Sequence, residues 1–416
     1  MATENKKYTP TLRFPEFQND GEWKRCKLSD VAVRKGKKNT KGIELPVYTN
    51  SATSGVISQE DYFDREIVTK ENLVNYGIIE PNDFVYNPRV SVTAPVGPIS
   101  RNKLSRGIMS PLYLIFGFNG GDINFFEHYF KGNSWHNYLR AKANYGARFD
   151  RINIGTKEFM DMPIPYPSLA EQKKVADCLS SLDKYIDATK RKLELLKEHK
   201  KGLMQRLFPA KGKTTPELRF PEFQNDGEWQ IVSLGEITSV VNRRNKSNRS
   251  LPIYSINNAE GFVPQSQQFA GMDSEARGYD ISAYKIIGKH TFAYNPARIN
   301  VGSIGYSGEL KDILISSLYV CFKTMDNVDD DFIMCFFNSY IFNQAVESNV
   351  EGGIRSYLFY ENFSRINIAI PSLYEQKRIA SCITSIEDMI KMSNEQISLL
   401  ETHKKGLLQQ LFPMIK

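Results

Sequence analysis

Two short basic segments place the same kinds of side chain at two points of the chain. They are VRKGKKNTK (33–41) and VNRRNKSNR (241–249), which align with each other. Each has two cations followed by an asparagine: Lys37, Lys38 and Asn39 in the first, and Arg243, Arg244 and Asn245 in the second. Cations neutralise phosphates, while asparagine and arginine can form paired hydrogen bonds with base edges. The recurrence favours nucleic-acid contact over the alternative, a pair of solvated loops.

Six further residues extend this candidate set of DNA-binding side chains. Four of them belong to the two Tyr-Asn-Pro turns: Asn87, Arg89, Asn295 and Arg298. The other two lie in glycine-flanked loops, Arg148 in YGARFDR and Arg355 in GGIRSYL. Glycine lets a backbone approach a ligand closely, and arginine is the usual residue that recognises guanine. A structural salt bridge is the alternative role for each arginine.

No catalytic or metal-binding set accompanies these residues. The histidines and cysteines, five of each, are dispersed without zinc-ligand spacing. A Gly-x-x-x-x-Gly-Lys-[Ser/Thr] loop for nucleotide phosphates is also missing from the sequence. YNPR (86–89) lacks the second proline of the Asn-Pro-Pro-aromatic motif of amino-methyltransferases, so Pro88 and Pro296 are interpreted as turn residues. We therefore expect a chain that binds and does not catalyse.

The composition sets broad limits on the class of protein. A chain of 416 residues with 41% hydrophobic and 24% charged residues is ordinary for a soluble globular protein of two or three domains. An excess of 54 Lys+Arg over 47 Asp+Glu gives a net charge of +7, which permits an anionic partner without requiring one. Because no long apolar run or signal-like N-terminus is present, a cytoplasmic location is expected.

An internal repeat positions the candidate residues. LRFPEFQNDGEW occurs at 12–23 and again at 218–229. The similarity continues in two further pairs of segments, FVYNPRV (84–90) with FAYNPARI (292–299), and PSLAEQKKVADCLSSLDKYI (167–186) with PSLYEQKRIASCITSIEDMI (371–390). Short runs of Tyr, Phe, Val and Ile between Gly, Asn and Pro predict strands and turns in each copy, with one short helix near 124–142 and another near 331–347. The chain is predicted to contain two tandem α+β domains.

Each domain is followed by a segment predicted to form one long helix. Ser168 with Glu171, and Ser372 with Glu375, fit the Ser-x-x-Glu capping box at a helix start, and Phe-Pro closes each segment. Apolar residues recur at heptad spacing at equivalent positions of both copies: Val175, Leu179, Leu182, Ile186, Leu193, Leu196, Leu203 and Leu207, and Ile379, Ile383, Ile386, Ile390, Ile397, Leu400, Leu407 and Leu411.

Such a narrow stripe favours pairing of the two helices over the alternative, packing of each helix on its own domain. Because each copy runs from domain to helix, a two-fold arrangement requires antiparallel helices. That pairing places Val175 beside Leu407 and Leu203 beside Ile379. Thr189 and Ser393 interrupt the stripe at its midpoint, where we expect their hydroxyls to face and bond each other.

These features together resemble the specificity subunit of type I restriction-modification systems. The resemblance covers essentially the whole chain, and its most specific parts are PSLxEQK at 167–173 and 371–377, the LRFPEF openings and the LFP helix ends. It implies target recognition domains at 1–166 and, after a linker, within 210–370, with spacer helices at 167–209 and 371–416. The helices are implied to form an antiparallel coiled coil with pseudo-two-fold symmetry.

The resemblance also implies a division of labour. Each recognition domain binds one half of an asymmetric, bipartite site in double-stranded DNA, and the helices set the spacer and dock partner subunits. The chain itself binds no cofactor. Two modification subunits methylate adenine with S-adenosylmethionine, and restriction subunits use ATP and Mg²⁺. The alternatives are a self-contained enzyme, which lacks a motif here, a DNA mimic, which would be acidic, and a scaffold without DNA affinity.

Overall fold

The chain folds into two compact units. The first unit comprises residues 1–190 and 395–416, and the second comprises residues 191–394. The computed structural model describes residues 8–62, 70–145, 150–258, 260–269, 271–350 and 357–414. Within these residues, no helix combines the length and the apolarity needed to cross a membrane.

Short strands form the sheets of both units, as the runs of aromatic and β-branched residues predict. The strands of the first unit are β1 (Lys24–Lys27), β2 (Ala32–Arg34), β3 (Val47–Ser51), β4 (Gly55–Ser58), β5 (Gly77–Ile79), β6 (Phe84–Tyr86), β7 (Ile99–Arg101), β8 (Gly107–Met109), β9 (Leu114–Phe118), β10 (Asn144–Tyr145), β11 (Ile152–Asn153) and β12 (Pro163–Tyr166). The strands of the second unit are β13 (Gln230–Ser233), β14 (Thr238–Val240), β15 (Ile253–Asn257), β16 (Gly261–Pro264), β17 (Lys285–Ile287), β18 (Phe292–Tyr294), β19 (Ile304–Tyr306), β20 (Ile313–Ile315), β21 (Val320–Thr324) and β22 (Asn367–Ile370).

The same sheet topology recurs in both units. The first unit has four-stranded sheets in the orders β4-β3-β8-β5 and β2-β9-β6-β7, and the second has β16-β15-β20-β17 and β14-β21-β18-β19. Only the central pairs β3–β8 and β15–β20 are parallel among the described strand pairs of these sheets. A two-stranded sheet joins the start and the end of each domain, β1 with β12 and β13 with β22. The predicted α+β class is confirmed.

Aromatic side chains fill the core of each domain. In the first, Phe84, Phe116 and Trp135 are almost completely buried, and Phe84 stacks on Phe116 with ring centroids 5.6 Å apart. In the second, Phe292 and Phe322 occupy the equivalent positions and stack at 5.2 Å. The repeated letters of the sequence therefore correspond to repeated core contacts, which explains why the two copies share a fold.

Helices close the sheets and connect the two units. They are α1 (Leu28–Val31), α2 (Gln59–Tyr62), α3 (Ile123–Lys131), α4 (His136–Lys142), α5 (Thr156–Met160), α6 (Leu169–Leu207), α7 (Leu234–Ile237), α8 (Gln265–Gln268), α9 (Asp330–Phe337), α10 (Tyr340–Asn349), α11 (Tyr360–Ser364) and α12 (Leu373–Leu411). The prediction of one short helix in each domain is wrong, because a pair is present, α3 with α4 and α9 with α10. Gly132 ends α3, and Ser339 caps α10 by accepting a hydrogen bond from the amide of Phe342, so each helical run is interrupted.

The long helices α6 and α12 pack antiparallel, as predicted. In the first unit Asp183 pairs with Lys404 and Lys190 pairs with Glu401, so the order along one helix reverses along the other. In the second unit Lys200 pairs with Glu387 at 2.6 Å. Every residue of the two predicted heptad stripes is buried or half-buried.

The apolar contacts agree with the predicted pairing of the helices. Val175 and Leu407 belong to one hydrophobic cluster in the first unit, and Leu203 and Ile379 belong to one cluster in the second. A parallel arrangement would have placed Val175 beside Ile379, and these two residues lie in different clusters.

The polar residues at the midpoint of the stripes do not behave as expected. Thr189 and Ser393 are buried, but each hydroxyl donates to a carbonyl of its own helix, that of Tyr185 at 2.9 Å and that of Met389 at 2.8 Å. Hydroxyls inside a helix commonly bond the carbonyl four residues earlier, because it is always within reach. The expected bond between the two hydroxyls is therefore replaced by local bonds.

A buried ion pair joins the two repeated motifs within each unit. Arg13 donates to both carboxylate oxygens of Glu171, at 2.7 and 2.8 Å. Arg219 donates in the same way to Glu375, at 2.8 Å for both bonds. The remaining nitrogen of each guanidinium donates to backbone carbonyls of the opening segment, such as that of Asp20 at 2.7 Å. The LRFPEF opening is thereby attached to the first turn of the long helix that follows the domain.

Because of this ion pair, only one of the two hydrogen bonds of each predicted capping box forms. Ser168 accepts a hydrogen bond from the amide of Glu171 at 3.3 Å, and Ser372 does so from Glu375 at 3.4 Å, as expected. The glutamate carboxylates do not return to the serine amides, because arginines that lie far away in the sequence engage both of their oxygens. The following glutamine also has a structural role, since Gln172 accepts from the amide of Asp122 at 2.8 Å.

The Phe-Pro ends of the long helices enter domain cores. Phe412, at the end of α12, lies in the core of the first unit with its ring centroid 5.2 Å from that of Phe125. Phe208, at the end of α6, stacks on Phe332 in the second unit at 5.2 Å. Each helix therefore begins against the domain it follows and ends in the core of the other unit. Packing of each helix on its own domain alone, the alternative considered above, is excluded.

A buried histidine makes the first unit sensitive to pH. His128 lies in α3, is 3% exposed and bonds Ser180 Oγ at 3.0 Å. Burial, reinforced by the charge of Lys131, lowers the pKa of His128 to about 4. The folded protein keeps this imidazole neutral, whereas the unfolded chain protonates it below a pKa of about 6.5. The unfolding free energy is therefore highest above pH 6.5 and decreases as the pH falls towards 4.

We expect His128→Gln to remove this pH dependence. Between pH 7.5 and 4.5, the parent should lose on the order of 2–3 kcal/mol more unfolding free energy than the variant, because the unfolded parent takes up a proton that the folded parent excludes. Urea unfolding at the two pH values measures the difference. An equal loss in both proteins would contradict the assignment.

Candidate nucleic-acid interface

The first basic segment is held as an added strand at a sheet edge. The amide of Ile78 donates to the carbonyl of Lys37 at 2.9 Å, and Lys38 forms an isolated antiparallel bridge with Gly77. The side chains of Lys37 and Lys38 are exposed. The backbone of the segment is thus fixed while its two ammonium groups are free to meet an anion.

The second unit holds its basic segment in the same way. The amide of Ile286 donates to the carbonyl of Arg243 at 2.7 Å, and Arg244 bridges with Lys285. Both arginine side chains are exposed. Arg243 also approaches Asp312 at 3.7 Å, an exposed pair of the kind that contributes little and leaves the guanidinium available to a stronger anion.

The asparagines of both segments are structural, which corrects the prediction that they contact DNA. Asn39 is 1% exposed and Asn245 is fully buried. The amide group of Asn39 bonds both the carbonyl and the amide of Ile43, at 2.9 and 3.0 Å, and Asn245 bonds Arg249 in the same way at 3.0 and 2.9 Å. A base contact would require these local bonds to break, so the asparagines shape the loops that carry the cations.

The asparagines of the Tyr-Asn-Pro turns also bond the backbone. Asn87 accepts from the amide of Arg89 at 3.0 Å and donates to the carbonyl of Asn50 at 2.9 Å, so both ends of its side chain are engaged. These bonds give Asn87 a turn-forming role, and a base contact through its second amide hydrogen stays a prediction. Asn295 accepts from the amide of Ala297 at 3.0 Å. For Asn295 the turn engages only the oxygen, and a base contact through its amide nitrogen stays a prediction.

The turns present exposed arginines beside a tyrosine-rich cavity. In the first unit this cavity has a volume of about 320 Å³. The residues that line it include Arg89 and Arg151, whose backbones form an isolated bridge, and Tyr48, Tyr62, Tyr76 and Tyr113. The carbonyl of Tyr76 accepts from the amide of Asn39 at 2.9 Å, so the basic segment borders the cavity. We call this site the tyrosine cavity.

The second unit has an arginine and a tyrosine in the corresponding arrangement. Arg298 is exposed after its Tyr-Asn-Pro turn. Burial raises the pKa of the Tyr319 phenol, and the nearby charge of Arg298 opposes that rise. Tyr319 stands at the position of Tyr113, so each unit places an exposed arginine near an equivalent tyrosine.

Sequence reasoning missed several residues of this face. Arg151, the tyrosines and Asn50 come from separate strands and turns, and only the fold brings them together. A signal was available for two of the tyrosines, because Tyr48 and Tyr113 recur as Tyr254 and Tyr319 in the second copy. Arg148 and Arg355, both predicted to contact bases, lie outside the described residues.

The chemistry of the described face is that of binding. No group of three or more His, Cys, Asp or Glu side chains suited to a metal ion occurs in the part of the chain that the structure describes. Exposed cations can contact phosphates, and tyrosine rings offer surfaces on which bases stack.

Known proteins share this sequence pattern and fold. The MjaVIII specificity subunit of a type I restriction enzyme from Methanocaldococcus jannaschii is 24% identical over 283 residues, which is 62% of this chain and 63% of that protein. The MjaX sequence from the same organism is 25% identical over 298 residues, 68% of this chain and 65% of its own length. The match thus spans just under two thirds of each of these relatives.

Two solved structures have the same fold. The type I restriction-modification S subunit from M. genitalium aligns with a TM-score of 0.57 at 15% identity and covers 98% of this chain and 100% of its own. The HsdS subunit from Thermoanaerobacter tengcongensis aligns with a TM-score of 0.51 at 14% identity and covers 95% of this chain and 99% of its own. At these identities the likeness concerns the fold alone.

The family assignment rests on both halves of the chain. Residues 20–198 and 226–402 each match the family model of the type I restriction modification DNA specificity domain. The two matches include both basic segments, both Tyr-Asn-Pro turns and the greater part of both long helices. This protein therefore belongs to the family of type I restriction-modification DNA specificity domains.

Proposed function

We propose that this chain is the DNA sequence-recognition subunit of a type I restriction-modification complex. The observation that carries the proposal is the recurrence, in two specificity-domain units, of an exposed basic segment held at a sheet edge near an arginine-bearing turn. Each unit binds one half of a bipartite site in double-stranded DNA. The half-sites differ because the units place different side chains at equivalent positions, such as Asn50 and Ile256.

The partners follow from the same assignment. The long helices set the separation of the half-sites and dock two modification subunits, which methylate adenine with S-adenosylmethionine. Restriction subunits that use ATP and Mg²⁺ join this assembly, and the chain itself binds no cofactor and catalyses no reaction. All of these steps take place in the cytoplasm. The specificity subunits named above are the relatives that support this assignment.

Removing the paired cations of one segment is expected to weaken DNA binding and flatten its salt dependence. For Lys37→Ala/Lys38→Ala, the slope of log K against log salt should fall by about 1.8, because each phosphate contact contributes about 0.9. Arg243→Ala/Arg244→Ala should behave alike. The measurement is duplex affinity of the assembled complex across a salt series.

The linker provides a matched control for this experiment. Lys211→Ala/Lys213→Ala removes the same charge from exposed positions outside both basic segments, and the slope should stay at the parent value. Unchanged slopes for both segment variants would remove the basic segments from the DNA interface. A complex without affinity for DNA at any salt concentration would refute the proposed function as a whole.

A further inference from the structure

A loop of the second unit places an arginine against two exposed aromatic rings. The loop runs from the end of α8 to the start of β17. The guanidinium of Arg277 lies over the ring of Phe269, 4.3 Å from its centroid, and over the ring of Tyr279 at 5.2 Å. All three side chains are exposed, Phe269 to 41% and Tyr279 to 60%. Apolar side chains that are exposed together on one loop are typical of a binding surface.

Hydrogen bonds fix this loop beside the basic segment of the same unit. Ser274 is 3% exposed, and its amide and hydroxyl both donate to Oε1 of Gln265, at 3.0 and 2.7 Å. The Ser274 hydroxyl also accepts from the phenol of Tyr284 at 2.9 Å. The carbonyl of Tyr284 in turn accepts from the amide of Asn245 at 2.9 Å. The loop therefore borders the basic segment at 241–249, which belongs to the proposed DNA interface.

The loop orients the guanidinium of Arg277 without neutralising it. Nε donates to the carbonyl of Asp273 at 3.2 Å, and Nη2 lies 3.4 Å from the hydroxyl of Ser274. The carboxylate of Asp273 accepts from the amide of Ala276 at 2.9 Å. Among the described residues, no carboxylate forms an ion pair with Arg277, so a structural salt bridge does not explain this arginine. The end of the guanidinium that carries Nη1 is left for a ligand.

A guanidinium held in this way is suited to the recognition of one base. Stacking against aromatic rings restricts the side chain and leaves its in-plane N–H groups as the available donors. Less rotational freedom is then lost when two parallel hydrogen bonds form. O6 and N7 of guanine accept such a pair in the major groove, and arginine is the residue that most often binds them. A phosphate contact, the alternative, requires the charge but no fixed plane.

The loop also belongs to a part of the repeat in which the two copies differ. QSQQFAGMDSEARGYD (265–280) follows the same strand as QEDYFDREIVTKENLV (59–74), yet the two segments share little beyond their first residue. Domains that bind different half-sites are expected to differ at the residues that contact bases, whereas the residues of the common scaffold agree.

We propose that Arg277 recognises one guanine of the second half-site, with Nη1 and Nη2 donating to its O6 and N7. Phe269 and Tyr279 are positioning residues, which hold the plane of the guanidinium and do not select the base. This inference rests on the proposed function and adds to it the residue, the base and the atoms of one contact.

The first test asks whether Arg277 determines one position of the target. The target is identified by mapping methylated adenines in cells that carry the assembled complex. Duplexes in which each base pair of the second half-site is exchanged in turn are then bound to complexes of the parent and of Arg277→Ala. At one G·C pair the exchange should weaken binding to the parent by about tenfold or more, and binding to the variant by less than about twofold. Equal discrimination by both proteins at every position would overturn the inference, as would a second half-site without a G·C pair.

The second test concerns the atoms of the contact. At the position found above, guanine is replaced by 7-deazaguanine, which lacks the N7 acceptor. The replacement should weaken binding to the parent by about fivefold or more, as expected for the loss of one hydrogen bond to a charged donor. Binding to Arg277→Ala should weaken by less than about twofold. Independent, multiplying effects of the analogue and the substitution would overturn the contact.

A phosphate contact would give a different result. Its loss in Arg277→Ala would weaken binding to all duplexes alike and lower the slope of log K against log salt by about 0.9. We expect the weakening to be confined to duplexes that carry the guanine. A uniform loss would overturn the inference and leave the proposed function intact.

Controls separate this inference from general effects of the substitution. Arg365→Ala removes another exposed arginine of the second unit, which pairs with Glu361 at 2.7 Å, and should discriminate like the parent at every position. Discrimination of the first half-site should also stay at the parent value in Arg277→Ala. If that variant does not fold, Arg277→Gln, which keeps a polar side chain, takes its place in both tests. A complex without affinity for DNA would instead refute the proposed function.

Discussion

Arg13→Ala is expected to destabilise the first unit by about 3–5 kcal/mol. The substitution leaves the carboxylate of Glu171 buried, at 1% exposure, without its two guanidinium bonds. Removing one partner of a buried pair is more harmful than removing both, because the remaining charge is neither solvated nor paired. The double variant Arg13→Met/Glu171→Met should therefore recover part of the lost stability.

The same motif contains a matched control for Arg13→Ala. Glu16 forms an ion pair with Lys174 at 2.8 Å, and both side chains are nearly half exposed. Exposed pairs contribute about 0–1 kcal/mol, so Glu16→Ala should change the unfolding free energy by less than about 1 kcal/mol. Urea unfolding, combined with hydrogen exchange of amides in 8–166, measures both effects. Equal losses for Arg13→Ala and Glu16→Ala would show that burial of the first pair is unimportant.

The internal repeat made most of the fold predictable. Comparing the two copies identified two α+β domains and two long helices. The heptad spacing from Val175 to Leu207 predicted that the helices pair, and the order of domain and helix in both copies predicted that the pair is antiparallel. The strand runs and the heptad spacing are local or periodic patterns, so each can be recognised within one continuous segment of the sequence. The break between α3 and α4 was not predicted, although Gly132, Asn133 and Ser134 separate the two apolar runs and are residues typical of a turn.

Long-range pairing could not be predicted from the spacing of residues. Arg13 and Glu171 each belong to a repeated motif, yet their sequence separation gives no sign of a contact. The motifs do recur at almost the same offset, which is the signal that could have linked them. Without that link, the helix-capping rule assigned Glu171 to Ser168, although in the structure the arginine binds it more strongly than a backbone amide would.

The candidate site was predicted in part. Lys37, Lys38, Arg243 and Arg244 are exposed, because a loop at a sheet edge directs long side chains to solvent. Asn39 and Asn245 are buried by the same loops. Their short side chains both donate to and accept from backbone groups four residues later, whereas lysine and arginine side chains can only donate. The tyrosine cavity could not be predicted, because its residues come from separate strands and turns.

Phe412→Ala is expected to destabilise the first unit by about 3–5 kcal/mol, the usual cost of removing a buried phenylalanine side chain. Phe412 is 1% exposed and contacts the rings of Phe125 and Tyr129, with centroids 5.2 and 5.6 Å away. Its carbonyl accepts a hydrogen bond from Ser134 at 3.3 Å. The end of α12 is thus part of a core whose other residues lie far earlier in the sequence.

The two helix ends are expected to stabilise different units, so hydrogen exchange should increase in a different unit for each variant. Hydrogen exchange should show faster opening of amides in 84–139 for Phe412→Ala, although the substitution follows the second domain in the chain. Phe208→Ala should instead expose amides in 292–346, because Phe208 stacks on Phe332. Met414→Ala is the control, since Met414 is 47% exposed and its loss should change the unfolding free energy by no more than about 0.5 kcal/mol. Opening of 292–346 in the Phe412 variant, with 84–139 unchanged, would contradict the assignment of each helix end to the opposite unit.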